Sequence, residues 1–457
     1  MRPSLWLAIL LCFGSASGLG AATETNTVWK AGAAAVKITP ETSMWMAGYA
    51  ARTNAAQGVA QDLFAKALAV EDTSGAQLVV VTYDLIGVPR TLRQALVKRC
   101  GEAYKLAPES LLLNASHTHC GPEFRLSGAN SDDGDVTRER EAEAYGRQIE
   151  EKTFQLIGDA LKKLAPARLD YLHAHCGFAM NRRRPTAKGF INAPYSDGPV
   201  DHDVPVLRVT SPDGKQLRAL LFGYSCHNTT LGFYQFCGDY AGYAQEYIQA
   251  AHPETIALFM QGCGGDQNPY PRRTPEVVQH HGRALANAVE TALDTVPHPL
   301  AGPLCVAFSE VPLDYAPLPP REELQKLLDS KNKYERGHTK WLLDQMDHGK
   351  MPANYPCPVQ VIRFGGDFVL VAIGGEAVVD YSLRLKKELA GCVVWVAGYS
   401  NDVFGYVPSR RVLEEGGYEA GGAMLFSRTH PGPWALSIEE RIVSKVHESM
   451  RNLVLSR

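Results

Sequence analysis

Short apolar runs alternate along the chain with stretches whose apolar positions recur every three or four residues. Leu78 to Asp84 (LVVVTYD) reads as a buried strand, Thr91 to Leu106 as an amphipathic helix, and Leu111 to Ala115 (LLLNA) as a second strand. Arg138 to Leu164 is a long charged helix pattern. Val204 to Thr210 and Leu217 to Ser225 flank the turn Pro212-Asp213-Gly214 and predict a hairpin. Helical periodicity returns at Asp239–Ala251, Glu276–Val296, Arg321–Met346 and Ser437–Leu453. Strand patterns fall at Ile256–Met260, Val359–Phe364, Phe368–Ile373 and Val393–Ala397. The expected class is α/β, with layered mixed β-sheets flanked by helices, since the hairpin argues against a purely parallel arrangement.

The first residues follow a different pattern. Arg2 precedes an apolar run from Leu5 to Phe13, and small residues continue to Ala22, which is the three-part form of a secretory signal. The run is shorter than the roughly 20 residues a membrane-spanning helix needs. Residues 1–22 are therefore expected to be a signal peptide and 23–457 the mature domain, secreted or periplasmic, with no transmembrane segment. Leaving the cytoplasm changes how the cysteines are read. Of ten, Cys12 goes with the signal, and the nine that remain are an odd number in a compartment that permits disulfides. The expectation is a few bridges plus buried thiols, with Cys120, Cys226, Cys237 and Cys263 placed to staple loops.

Apolar residues make up 45% and charged ones 21%, a globular composition, and the net charge of −3 with scattered Lys and Arg excludes a basic nucleic-acid surface. No internal repeat or low-complexity linker divides the mature chain.

The chemistry-bearing residues follow the apolar runs. LLLNA leads into Ser116-His117-Thr118-His119-Cys120-Gly121-Pro122, and LRALLFGYSC into His227-Asn228-Thr229-Thr230. IALFM leads into Gln261-Gly262-Cys263-Gly264-Gly265-Asp266-Gln267-Asn268-Pro269, and FVLVAI into Gly374-Gly375-Glu376. Ligands in α/β folds collect in loops at strand ends. Two imidazoles and a carboxylate delivered there form a set that zinc accepts in catalytic sites. His-x-His alone is weak evidence, since the spacing only puts both rings on one face of a strand, and a lone histidine beside cysteine and glycine, as His227 is, more often hydrogen-bonds in a core. The glycine-rich loop at Asp266 is not followed by Gly-Lys-Ser/Thr, which excludes a P-loop and with it a nucleotide.

In order, these stretches resemble the catalytic domain of the neutral, non-lysosomal ceramidase family, from about Ala31 to Ala423. The likeness rests on Met46-Ala47-Gly48-Tyr49-Ala50, SHTHCGP, Asn181-Arg182, His227-Asn228-Thr229, Gly238-Asp239 with Gly242-Tyr243-Ala244, and Gly265-Asp266. It continues through Gly374-Gly375-Glu376, Asn401-Asp402 with Gly405-Tyr406-Val407, and Tyr418-Glu419-Ala420-Gly421.

The resemblance implies a zinc-dependent amidohydrolase that cleaves the N-acyl amide of ceramide or a related lipid amide. It places the metal on His117, His227, Glu376 and Tyr406, and catalytic or substrate-polarising roles on His119, Arg182 and Tyr418. It also implies a small-molecule lipid amide as partner and peripheral contact with a membrane. Phe233, Tyr234 and Phe236 are candidates for a lipid groove.

Three departures bear on the substrate. Asn268 replaces a family serine, which excludes a serine nucleophile at that position. Cys120 replaces another serine, and Val407-Pro408-Ser409 a threonine-rich stretch. The residues after Tyr418 are too few for the immunoglobulin-like β domain of longer members, a sandwich of about 100 residues. The alternatives are a zinc hydrolase of the same fold with another amide or ester substrate, and a non-catalytic secreted binding protein.

Overall fold

The computed structural model describes residues 29–124, 136–426 and 429–455; the signal-like segment 1–22 lies outside them. Eighteen strands and nine helices are present among the described residues. The first half supplies β1 (Trp29–Lys37), β2 (Phe64–Glu71), β3 (Gln77–Tyr83), β4 (Leu111–Ala115), β5 (Ala165–His175), β6 (Ala179–Thr186), β7 (Gly189–Tyr195), β8 (Asp203–Thr210) and β9 (Leu217–Tyr224). The second supplies β10 (Ile256–Gln261), β11 (Gln267–Pro269), β12 (His298–Pro299), β13 (Leu304–Asp314), β14 (Asn354–Phe364), β15 (Phe368–Ile373), β16 (Glu376–Ala377), β17 (Val393–Ala397) and β18 (Tyr406–Val407). The helices are α1 (Arg90–Tyr104), α2 (Val136–Lys162), α3 (Asp239–Ala251), α4 (Pro275–Leu293), α5 (Arg321–Leu327), α6 (Lys333–Asp347), α7 (Val379–Glu388), α8 (Arg410–Glu415) and α9 (Ile438–Leu455).

Two sheets lie face to face between helices. The larger runs β10-β9-β8-β5-β1-β2-β3-β4, with β12 added to β5, and the smaller runs β13-β14-β15-β17. Alternation along each strand explains the layering, because successive side chains point to opposite faces. Val79 and Val81 of β3 join the core under α1 to α4, whereas Leu78 and Val80 join the core between the sheets. On β15, Leu370 and Ala372 face that inter-sheet core, while Val369 and Val371 pack against α7 and α9. The result is a four-layer α/β/β/α arrangement, in keeping with the expected layered mixed sheets flanked by helices.

Two expectations are corrected. The helix expected over Arg321–Met346 is two helices, because Asn332 caps α6 by accepting a bond from the backbone N–H of Tyr334 and thereby starts a new helix. All nine described cysteines are free thiols. Cys120, Cys226 and Cys237 fill the core beneath the large sheet and Cys263 the core beside α7, where burial pushes their thiols up and keeps them protonated.

The sheets converge at one end. The parallel pairs β3/β4, β9/β10 and β15/β17 all release their loops there. Buried Asn114, in β4, donates to Gly398 O at 2.8 Å and accepts from Gln261 N at 2.8 Å, tying three strand ends together. Asn401 accepts from Leu113 N at 3.1 Å and donates to Gln360 Oε1 at 2.8 Å, fixing the second sheet to the first. With these amides satisfied, the loops above them are held rigidly.

Candidate metal and active site

His117 follows β4 directly and sits in the left-handed region at φ 64°. For a residue with a Cβ that backbone is costly, and it turns the imidazole back over the sheet end. The ring is anchored through Nδ1 to Ile86 O at 2.6 Å. His227, on the loop after β9, is anchored in the same way through Nδ1 to Gly264 O at 2.6 Å. A carbonyl accepts only, so both Nδ1 atoms carry a proton, and Nε2 is the nitrogen that each ring turns toward the centre of the site.

Glu376 arrives from the other sheet. Gly374 and Gly375 make the turn, Gly375 at φ 70°, and Glu376 begins β16, which pairs with β18 in the register Glu376↔Tyr406. One carboxylate oxygen, Oε2, lies 3.2 Å from His117 Nε2 and 3.2 Å from His227 Nε2. Tyr406 Oη stands 3.4 Å from His227 Nε2. Separations of this size match the edges of a tetrahedron of ligands around zinc, about 3.3 Å for bonds of 2.0–2.1 Å.

Electrostatics supports the same reading. Burial, then the charges of Arg182 and His117, hold the His227 imidazole down to about 3, so it stays neutral at physiological pH. Although burial opposes ionisation, His117 and His227 keep the Glu376 carboxyl well below the usual carboxylate range. An ionised carboxylate thus faces two imidazole nitrogens at close range, an arrangement that a cation at the centre would fit. The donor set of nitrogen and oxygen fits a divalent transition metal.

His119 is placed differently. Its Nε2 lies 3.1 Å from His117 Nε2, and its ring packs on Tyr49 with centroids 4.8 Å apart. Its Nδ1 is buried with no hydrogen-bond partner among the described residues. Burial, reinforced by His117 and His227, keeps its pKa well below the ordinary histidine value. Gly48, at φ +99°, passes so close that a Cβ there would come within 2.5 Å of His119 Cγ and Nδ1.

Arg182, on β6, donates from Nε to Glu419 Oε1 at 2.8 Å, from Nη1 to Asn268 Oδ1 at 3.2 Å and from Nη2 to Tyr406 Oη at 2.8 Å. Each terminal nitrogen keeps one further N–H. Asn268 is buried and serves as an anchor for this guanidinium. Tyr418 lies half-exposed at the mouth, its ring 5.5 Å from that of Tyr406. All seven residues singled out from the sequence therefore meet at one place. Of the proposed groove residues, Phe236 is in the core and only Phe233 and Tyr234 are partly exposed.

Two participants were missed. Tyr399, at φ 51° after β17, is buried with its ring 4.6 Å from that of His117 and its hydroxyl 3.5 Å from Glu376 Oε2. Its position directly after VVWVA-Gly398 is the same strand-end signal that marked the others. Glu419 holds Arg182 and Arg183 together, and the stretch Tyr418-Glu419 was assigned only for its tyrosine.

The sequence model of neutral/alkaline non-lysosomal ceramidases, N-terminal part, matches residues 29–276, more than half of the chain. The chain belongs to this family. Its fold is similar to the crystal structure of neutral ceramidase from Pseudomonas aeruginosa, with a TM-score of 0.72 and 20% identity over 93% of this chain and 75% of that one. It is also similar to a ceramidase complexed with C2, with a TM-score of 0.70, 19% identity, and 93% and 76% of the two chains covered. No curated protein matches it. No helix among the described residues is long and apolar enough to cross a membrane.

Proposed function

We propose that this member of the ceramidase family is an exported, zinc-dependent N-acyl amide hydrolase whose substrate is ceramide or a related lipid amide. One observation carries the reading: Glu376 Oε2 lies 3.2 Å from the Nε2 atoms of both His117 and His227, while each ring's proton is pinned on Nδ1 by a carbonyl.

His117, His227, Glu376 and Tyr406 would hold the metal. When bound, zinc supplies Lewis acidity toward a carbonyl oxygen and toward water. His119, kept neutral by burial, takes the proton lost by water and passes it to the leaving nitrogen. An amide needs that step because an unprotonated amine anion is a very poor leaving group. The spare N–H groups of Arg182 and the hydroxyl of Tyr418 face the developing oxyanion and stabilise it. Glu419, Asn268 and Tyr406 fix the guanidinium, so this donor needs no reorganisation during reaction.

Asn268 in place of the family serine supports a second reading, in which the same machinery acts on another amide or an ester. The separating experiment is a rate panel of the purified, zinc-loaded protein on ceramides, N-acyl amino acids and simple esters. Ceramide hydrolysis well above the other two classes is expected. Turnover confined to esters or to N-acyl amino acids would replace the substrate assignment, and no turnover of any class would sink the enzyme reading.

A further inference from the structure

A second group of metal-binding side chains lies outside this site. His173 and His175 are two residues apart on β5 and so share one face of the sheet. Asp203, on β8, pairs directly with His175 in the antiparallel register, which puts its carboxylate on that same face. His173 is the diagonal neighbour, and its Nδ1 lies 3.1 Å from Asp203 Oδ1. One ligand atom from each residue falls within 4.8 Å of the other two. Both rings are exposed, so they are free to rotate toward a common ion without disturbing the core.

The surroundings prepare the carboxylate. Lys386 of α7 donates to Asp203 Oδ2 at 3.1 Å and to Asp201 Oδ2 at 2.8 Å, and Ser382 donates to Asp201 Oδ2 at 2.6 Å. Asp203 Oδ2 is thus occupied and Oδ1 is turned toward the histidines as a single ligand. The two aspartates outweigh the one ammonium, leaving the cluster net negative.

We infer that His173, His175 and Asp203 form a second, surface site for a borderline divalent transition ion, with zinc as its ordinary occupant and water completing the coordination. Two imidazoles and one carboxylate are a zinc-type ligand set. Its three ligands and the nearby ammonium make it weaker than the buried four-ligand centre. It fills second and empties first.

Equilibrium dialysis of the full mature protein against rising free zinc, with zinc counted per chain, tests this. Wild type should take up a tight first equivalent and a weaker second. His175→Ala and His173→Ala should each lose the second step and keep the first; because both side chains are exposed, these variants should fold normally, and unfolding curves check that they do. His117→Ala should show the reverse, losing the tight step and keeping the weak one, which separates this site from the catalytic reading. Absence of a second equivalent in wild type, or its survival in both exposed-histidine variants, would overturn the proposal.

Discussion

His117 and His119 are two residues apart, yet a carbonyl anchors the first ring through Nδ1, while Nδ1 of the second is buried without a partner among the described residues. His117→Ala should lose zinc and activity together, since it removes one of the four proposed ligands. His119→Ala should keep most of its zinc and lose turnover by about 10²–10⁴-fold, the usual contribution of general acid–base catalysis. The loss should be smaller for an activated ester, whose leaving group needs no proton. Zinc content and rates on both substrates check the pair, and equal loss of metal from the two variants would contradict the division of roles. Gly48→Ala probes the same ring from behind. The new methyl meets His119 at 2.5 Å and the residue must hold φ +99°, so kcat should fall sharply while zinc stays bound. An unchanged kcat would mean that the ring's position is not critical.

At the scale of elements, β18 brings Tyr406 to the site, and the layer behind it is set by His430. That ring donates from Nε2 to Phe404 O at 2.8 Å and accepts from Tyr315 Oη through Nδ1 at 2.8 Å, while Trp434 donates to Tyr406 O at 2.9 Å. Burial holds His430 down to about 4, against an ordinary value near 6.5. A histidine with a depressed folded pKa stabilises the fold above its unfolded value and loses that contribution as pH falls toward the folded one. Stability measured by denaturant should therefore decline between about pH 6.5 and 4. His430→Gln should be less stable at neutral pH and flatter across that window; an equally steep decline would place the titration elsewhere.

Elements of this kind were unevenly legible in the sequence. Phe368–Ile373 and Val393–Ala397 were recognised to the residue because both faces of these strands are buried and their apolar runs are continuous. β13, with six half-buried positions, and β7, largely exposed, gave no such run and were not anticipated. The site residues were readable where they follow a strand at once, as His117, His227 and Glu376 do. Tyr406 and Arg182 came only from family resemblance, since a phenol in a loop and an arginine on a mostly polar strand carry no signal of their own. Free thiols at all nine described cysteines were missed because counting cannot tell a bridge from a buried filler.

In the whole molecule the site bridges two sheets. His117 and His227 come from the larger, and Glu376 and Tyr406 follow strands of the smaller, so an ion held by the proposed ligands would tie the layers together. Any ligand that binds the folded state alone raises its stability, by about 2.7 kcal/mol at a hundredfold excess over Kd. Chelation should lower Tm by several degrees and zinc should restore it, whereas an unchanged Tm would deny the ion a bridging role.

The most direct test of the account strips zinc from the purified chain and returns it stepwise while ceramide hydrolysis is followed. The rate should be negligible without metal, rise in proportion to zinc, and level off at the first equivalent, because the proposed buried four-ligand centre would fill before the proposed exposed one. Full turnover by the metal-free protein, or zinc uptake at the tight site with no return of hydrolysis, would contradict it.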